Sequence, residues 1–180
     1  MSGSYWQKMT GITQSPPRVG WAEICWSWLG SFLGIGAVAV THYRYFEGTD
    51  LVLIIGSFGA SAVLVYGAIK SPLAQPRNLF GGHIISAIIG VTMVKICGPF
   101  LWLAAALAVS ISIAVMHATK TLHPPGGATA LIAVISGPKI HNLGYLYILM
   151  PVATGALIML LVALLVNNLA PTRRYPEFWW

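Results

Sequence analysis

The chain has 180 residues, of which 57% are hydrophobic and 8% are charged, and its formal net charge is +6. A soluble globular domain carries about 25% charged residues, so this composition excludes a soluble domain and indicates an integral membrane protein within a lipid bilayer. The positive charges lie at the ends of apolar segments and form no basic patch with interleaved aromatic residues, which argues against a nucleic-acid partner.

The first 20 residues are polar and contain two basic residues. They predict an N-terminal cytoplasmic arm over residues 1–20, and they lack the apolar core of a cleavable signal peptide. One transmembrane domain is predicted over residues 21–168. An interfacial C-terminal tail is predicted over residues 169–180, where two arginines are followed by aromatic residues.

Five apolar runs are each long enough to cross about 30 Å of hydrocarbon as a helix. They lack the alternation of polar and apolar residues that marks a barrel strand, so an all-α membrane protein is predicted. The runs cover residues 21–40, 51–69, 81–100, 101–118 and 143–166. Turns are predicted at 97–100 and 137–142, where Gly-Pro pairs interrupt the apolar pattern.

Two stretches of the chain align without gaps, GASAVLVYG at 59–67 and GATALIAVI at 127–135. We infer a duplication, with about six transmembrane elements arranged as two inverted three-element repeats over residues 21–97 and 100–166. Six crossings with the N-terminus inside place seven of the ten Lys and Arg residues on the cytoplasmic side, as the positive-inside rule favours. The alternative is chance similarity among the small residues that membrane helices favour.

The stretch TLHPPGGATALIAVISG, which begins at residue 121, breaks the backbone where an apolar run starts. Residues 126–137 would form a helix only about 18 Å long, too short to cross the hydrocarbon. Pro124 and Pro125 favour an extended chain before this helix, and the glycines that follow allow a sharp turn. The middle element of each repeat is therefore predicted as an extended stretch plus a half-helix, with residues 51–55 extended in the first repeat. We expect the two extended stretches to pair with each other.

Each half-helix would begin near mid-membrane with free N–H groups and the positive end of its dipole, which together attract an anion. Hydroxyl groups in the first turns, and small residues that leave the amides uncovered, support this prediction. The predicted substrate-binding residues are Ser57, Gly59, Ala60, Ser61, His123, Pro124, Pro125, Gly126, Gly127, Ala128 and Thr129. Lys120 and His83 are candidate pathway residues, because each carries or can take a positive charge.

Structural roles are the alternatives for the three basic side chains. His123 is either a pathway residue or a cap on the Pro-Pro turn. Lys120 either steers anions or snorkels to the cytoplasmic interface. His83 either lines a vestibule or caps its helix.

Nothing in the sequence predicts an enzyme. The four acidic residues lie near segment ends or in loops, and neither paired carboxylates nor a serine–histidine arrangement is present. His117 and His123 are six residues apart with no cysteine or carboxylate beside them, so we expect no metal site and no cofactor.

Three motifs resemble those of a known family: GSFGASAVLVYG from residue 56, SPLAQPRNLFGGH from residue 71 and LHPPGGATALIAV from residue 122. With them, the sequence resembles the HPP family of integral membrane proteins over about residues 20–168. The resemblance implies nitrite transport, as in relatives from cyanobacteria and the chloroplast envelope. It also implies a bacterial cytoplasmic membrane or, in a eukaryote, the plastid inner envelope.

The leading hypothesis is therefore membrane transport of nitrite, bound between the N-termini of the two half-helices. Composition and spacing by themselves imply only a small-anion pathway. The alternatives are a permease or channel for another small monovalent anion, and a non-transporting membrane assembly subunit. A homo-oligomer is expected, because six short elements offer little bulk for a rigid scaffold.

Overall fold

The computed structural model of the chain describes residues 4–180, and every regular element in this range is helical. The α-helices of the described range are α1 Trp21–Tyr45, α2 Ser57–Ala62, α3 Pro76–Cys97, α4 Leu101–Ala118, α5 Pro124–Ile135, α6 Pro138–Leu143 and α7 Thr154–Leu169. The remaining turns are π-helical at Val63–Gly67 and Ile148–Ala153, and 3₁₀-helical at Trp6–Met9 and Pro72–Ala74. The prediction of an all-helical chain is confirmed.

Four helices of the described range are long and apolar enough to span a membrane. They are α1, α3, α4 and the helix Ile148–Leu169, with mean hydropathies between 1.6 and 2.6. Two further apolar helices, Ser57–Gly67 and Pro124–Ile135, are shorter and measure only about 16–18 Å at 1.5 Å per residue. Large apolar side chains such as Trp28 and Leu165 are exposed on the outside of the bundle, as suits a surface covered by lipid. The chain is an integral membrane protein.

Contacts at the two ends of the bundle show how the chain runs. Arg173, just after α7, contacts Glu23 in the first turn of α1, so the bundle begins and ends on one side, called here the terminal side. Tyr66 also lies there, because its carbonyl oxygen accepts a hydrogen bond from Arg173. On the opposite side, the Lys95 ammonium near the end of α3 lies 5.6 Å from the ring centre of Tyr145.

Helix α3 packs against α4, α5 and α7, and glycines bring these backbones close together. A Cβ atom at Gly90 would lie 2.7 Å from the carbonyl oxygen of Ala130. A Cβ atom at Gly82 would lie 2.5 Å from the Cβ atom of His123. Small residues let helix backbones approach in membranes, where packing replaces the hydrophobic effect as the driving force. The short helix α5 is therefore held along its length by α3.

The predicted turn at 97–100 is confirmed, since α3 ends at Cys97 and α4 begins at Leu101. The turn predicted at 137–142 is wrong, because Pro138 occupies the first position of the short helix α6, where a missing N–H group is tolerated. Helix α6 then ends at Leu143, so the run 143–166 is not one continuous helix.

The non-helical stretches before α2 and α5 do not pair with each other in the described residues, and that expectation is wrong. The Leu53 N–H group donates to His42 Nδ1 at 3.3 Å, near the end of α1. The Leu122 carbonyl oxygen accepts from Asn78 Nδ2 at 2.8 Å, in the first turn of α3. These partners lie at opposite ends of the bundle, so each break is stabilised by a neighbouring long helix.

An ion pair between the buried Arg173 and the partly exposed Glu23, called here the terminal clamp, joins the two ends of the transmembrane region. The Arg173 guanidinium donates to both carboxylate oxygens of Glu23, at 2.7 and 3.0 Å. It also donates to the Tyr66 carbonyl oxygen at 3.1 Å, to Asn167 Oδ1 at 3.0 Å and to Ser27 Oγ at 2.7 Å. The Arg173 side chain is 1% exposed. The clamp therefore ties α1, the short helix Ser57–Gly67 and α7 together.

Replacing Arg173 by Met should lower the free energy of unfolding by about 2–4 kcal/mol, because buried acceptors lose their donor and Glu23 loses its counter-charge. The Glu23 side chain is 31% exposed, so water screens its charge and the loss of its counter-charge destabilises the protein less. The apparent Tm in detergent should fall by roughly 5–15 °C. Arg174→Met removes the same charge from an exposed neighbour and should shift the Tm by less than about 2 °C. Equal shifts for the two variants would contradict the clamp.

Candidate functional site

Five polar side chains meet inside the bundle where α2, α3 and α5 touch. Each of them is buried, with at most 1% of its surface exposed. The five, called here the polar cluster, are Ser57 and Ser61 on α2, His83 on α3, His123 just before α5 and Thr129 on α5. All were singled out in the sequence, four of them as binding residues and His83 as a pathway residue.

Short hydrogen bonds join the polar cluster. Ser61 Oγ lies 2.7 Å from His83 Nε2 and 2.9 Å from His123 Nε2, so one hydroxyl group bridges two imidazole rings. The centres of these rings are 5.0 Å apart. On the other edge of the His83 ring, Nδ1 lies 2.7 Å from Thr129 Oγ1. A continuous series of hydrogen-bonded groups therefore runs from His123 through α2 and α3 to Thr129.

Backbone carbonyl groups anchor both ends of this series. His123 Nδ1 lies 2.8 Å from the carbonyl oxygen of Leu73. Thr129 Oγ1 lies 3.2 Å from the carbonyl oxygen of Pro125 and 2.9 Å from Ser57 Oγ. These bonds fix the orientation of both imidazole rings, as buried hydrogen-bond networks commonly do.

The depth of the cluster follows from the position of His83 on α3. His83 lies about 11 Å along the helix of roughly 33 Å that begins at Pro76, so the cluster lies in the terminal half of α3, about 6 Å from the middle of the helix. Gly82, next to His83, has no side chain and so leaves room for the chain before α5 to pass close to α3. The Phe58 ring contacts the His83 ring edge-on, with centres 5.5 Å apart, and it covers the cluster on one side.

The first turns of α2 and α5 lie side by side and run in opposite directions. Ser57, at the start of α2, contacts Thr129 within α5. Ser61, one turn later in α2, contacts His123 just before α5. The sequence instead predicted two helix ends that face each other across an anion. In the structure the positive ends of the two dipoles are offset by about one turn.

At the starts of α2 and α5, several residues cannot donate a backbone hydrogen bond to a ligand. Some have no N–H group, and others have an N–H group that already donates to a carbonyl oxygen. Pro124 and Pro125 have no N–H group, and the Gly126 N–H group donates to the carbonyl oxygen three residues back at 2.8 Å. In α2, the Phe58 and Gly59 amides donate in the same way at 3.1 and 3.2 Å. An anion at this place would therefore depend on hydroxyl and imidazole groups more than on amides.

Five of the predicted binding residues lie away from the polar cluster. Gly59 and Ala60 are exposed on the outer face of α2. Pro124, Gly127 and Ala128 line a groove of about 540 Å³ between α4 and α5. Helix α5 thus turns two different faces to its surroundings, one toward the polar cluster and one toward this apolar groove.

The last two predicted binding residues, Pro125 and Gly126, and the candidate pathway residue Lys120 lie at three different places. Pro125 is buried and its carbonyl oxygen lies 3.2 Å from Thr129 Oγ1. Gly126 is buried against α3, where an added Cβ atom would lie 2.8 Å from the Gly82 carbonyl oxygen. Lys120 is exposed beyond the end of α4, on the terminal side and outside the cluster.

One residue next to the cluster was missed in the sequence. Tyr147 is completely buried, and its hydroxyl group donates to the Thr129 carbonyl oxygen at 3.0 Å. Its only sequence signal is a tyrosine within an apolar run, and such a residue equally suits a membrane interface. The Leu73 carbonyl group was also missed, because a backbone acceptor leaves no mark on the side-chain pattern.

The polar cluster offers three hydroxyl groups and two imidazole rings, which can donate several hydrogen bonds to one small ligand. Across residues 4–180, no group of three or more His, Cys, Asp and Glu side chains is close enough together to hold a metal ion.

The family model described as HPP, transmembrane region, matches residues 16–176 of the chain. The chain belongs to the HPP family.

Two curated relatives of this HPP chain are transmembrane proteins of Dictyostelium discoideum. One is 51% identical over 180 residues, covering 98% of this chain and 57% of the relative. The other is 50% identical over 175 residues, covering 95% of this chain and 61% of the relative. The HPP chain therefore spans about three fifths of the length of these relatives. No solved structure matches it significantly.

Replacing Gly82 by Ala should displace the chain before α5, because the added Cβ atom would lie 2.5 Å from His123 Cβ and 2.9 Å from the Thr121 carbonyl oxygen. We expect the free energy of unfolding to fall by about 1–3 kcal/mol, with a lower Tm in detergent. Gly36→Ala in α1, where a Cβ atom meets nothing within 4 Å, is the control and should leave the Tm unchanged or raise it slightly. A Gly82→Ala protein as stable as this control would argue against the close approach between α3 and the chain before α5.

Proposed function

We propose that this HPP chain carries a small inorganic anion across the membrane, with nitrite as the first candidate, and that the anion binds at the polar cluster. The observation behind the proposal is the cluster itself, five buried polar side chains that involve two apolar helices too short to span a bilayer. Ionisable groups inside a membrane are unfavourable and rare, and by default they indicate a pathway for substrates, ions or protons.

The chemistry of the cluster suits an anion better than a cation. The hydroxyl groups of Ser57, Ser61 and Thr129 can rotate to donate, and the imidazole rings add N–H donors. The sequence has no acidic residue between Asp50 and Glu177, so α3, α4, α5 and α7 bring no carboxylate that repels an anion. Each hydrogen bond to a charged ligand contributes about 1.5–3 kcal/mol, and each helix dipole adds roughly 0.3–2 kcal/mol.

An anion must replace bonds that the cluster side chains now make to one another. The Ser57–Thr129 and Ser61–His123 contacts both lie between α2 and α5, so a shift of one short helix against the other would open both. Helix α2 continues into the π-helical turn Val63–Gly67. Such turns are frequent at functional sites, and we place the movement there.

The proposal includes the topology of six elements in two inverted repeats. The order of long, short, long, long, short and long helices supports it, as does the position of the start of α1 and the end of α7 on the terminal side. A homo-oligomer is also part of the proposal, and native mass spectrometry tests it.

Location in a bacterial cytoplasmic membrane or the plastid inner envelope rests on the family resemblance alone, and imaging of a fluorescent fusion tests it.

The second candidate function is that of a non-transporting membrane assembly subunit. The mutual hydrogen bonding of the cluster favours it, because the side chains already satisfy one another between the short helices. In that case, removal of a hydroxyl group lowers stability while no ion crosses the membrane.

Purified protein in liposomes should take up nitrite, and Thr129→Val should reduce the uptake rate at low nitrite concentration by roughly 10–100-fold. This is the effect of losing one hydrogen bond to a charged ligand. Thr129→Ser keeps the hydroxyl group and should retain most of the uptake. Ser110→Ala removes an exposed hydroxyl group of α4 and should leave uptake unchanged. Size-exclusion chromatography and the Tm verify that each variant is folded.

Nitrate, chloride, formate and bicarbonate, each as a competitor and as a substrate, identify the preferred anion. Unchanged uptake by folded Thr129→Val and Ser61→Ala proteins would place the binding site elsewhere. If the unmodified chain moves none of the five anions, the transport proposal is wrong and the assembly subunit is favoured.

A further inference from the structure

The hydrogen-bond partners of the polar cluster determine where its hydrogens lie when both imidazole rings are neutral. The Leu73 carbonyl oxygen can only accept, so His123 Nδ1 carries the hydrogen and donates to it. His123 Nε2 is then an acceptor and takes the single hydrogen of Ser61. Ser61 Oγ in turn accepts from His83 Nε2. His83 Nδ1 is left without a hydrogen and accepts from the Thr129 hydroxyl group.

A proton can be added to His83 without the loss of any hydrogen bond. If Nδ1 of His83 gains a hydrogen, it donates to Thr129 Oγ1, which accepts as readily as it donates. The Thr129 hydroxyl hydrogen then turns to the Pro125 carbonyl oxygen at 3.2 Å or to Ser57 Oγ at 2.9 Å. Rotation of one hydroxyl group is the only rearrangement required.

The His123 ring does not have this freedom. Its protonation would direct a second N–H group at Ser61 Oγ, which already accepts from His83. The Ser61 hydrogen could then turn only to His83 Nε2, which would have to give up its own hydrogen while His83 changes to the other tautomer. The geometry therefore selects His83 as the ring that takes a proton with the smaller rearrangement.

The groups that face His83 supply no counter-charge. Helix α2 presents Ser61 and the Phe58 ring, α5 presents Thr129, and the chain before α5 presents His123. Helix α4 contributes Met116 close to Gly82, and Tyr147 reaches the cluster only through the Thr129 carbonyl oxygen. A lone positive charge in such a site is strongly unfavourable, and a bound anion would neutralise it.

We infer that the anion crosses together with one proton held on His83, so that transport is an electroneutral proton–anion symport. This inference rests on the proposed function. On loading, a hydronium ion in the water of one side gives up its proton to form the N–H bond at His83 Nδ1, and the Thr129 hydroxyl group reverses. On release, that bond breaks, the proton returns to water on the other side, and the anion leaves. Because anion and proton each favour binding of the other, their coupling is reciprocal.

The test uses the 180-residue chain in liposomes, with an acidic exterior and with the membrane potential set by potassium and valinomycin. A gradient of one pH unit should sustain about tenfold accumulation of nitrite, since each anion enters with one proton. A change in membrane potential should leave this accumulation unaltered. Undissociated nitrous acid that passes through the lipid reaches the same final gradient, so initial rates of uptake are compared, and the rate in protein-free liposomes is subtracted.

His83→Gln keeps a hydrogen-bonding side chain but cannot hold the proton, so accumulation driven by the pH gradient should disappear. His117→Gln, at an exposed position of α4, is the matched control and should accumulate nitrite normally. If wild-type uptake follows the membrane potential and ignores the pH gradient, the symport is wrong while anion transport stands. If no anion is taken up at all, both proposals are wrong.

Nitrogen-15 NMR of histidine-labelled protein in nanodiscs gives a second readout that does not depend on flux. Without added anion, His123 should be the Nδ1–H tautomer and His83 the Nε2–H tautomer. Saturating nitrite should convert the His83 signal, assigned by its absence in His83→Gln, to that of a doubly protonated ring. A His83 ring that stays neutral in saturating nitrite while the protein transports nitrite would overturn the inference.

Discussion

Backbone that leaves helical geometry inside hydrocarbon must find its hydrogen-bond partners within the protein, and the architecture of this HPP chain depends on how it meets that requirement. The break before α5 is stabilised by Asn78, which donates to the Leu122 carbonyl oxygen, and by His123, which bonds to the Leu73 carbonyl oxygen. His123 is at the same time a member of the polar cluster. The side chains that make the break tolerable are therefore among those proposed to bind the anion, and substitutions there will affect stability and transport together.

Small residues connect this local requirement to the packing of the whole bundle. Helix α5 is too short to cross the bilayer and relies on α3, which it approaches closely through Gly82, Gly90 and Gly126. The same close approach excludes larger side chains and positions His83 between α2 and α5. A polar site inside the bundle is thus a consequence of a short helix that is supported along one side.

The sequence allowed the helical class and the membrane location to be predicted. It placed the break wrongly, because Pro124 and Pro125 were expected before the helix, and they occupy the first turn of α5, where a missing N–H group is tolerated. It did not allow the faces of the short helices to be assigned. Helix α5 is apolar or small at nearly every position, so nothing in its pattern distinguishes the face with Thr129 from the face with Gly127. The side-by-side placement of α2 and α5 was missed for a related reason, since it depends on contacts between residues more than 60 positions apart. The helix α6 was missed because a Gly-Pro pair is compatible with a turn and with a helix start.

The terminal clamp has a consequence for biogenesis. Glu23 and Arg173 are separated by 150 positions in the chain, so their contact cannot form until the segment that contains Arg173 has left the ribosome. Helix α1 therefore enters the bilayer with a carboxylate whose partner has yet to be synthesised. Closure of the bundle is a late step, and a nascent chain that stops short of Arg173 will expose an unneutralised acid to the cell's quality-control machinery.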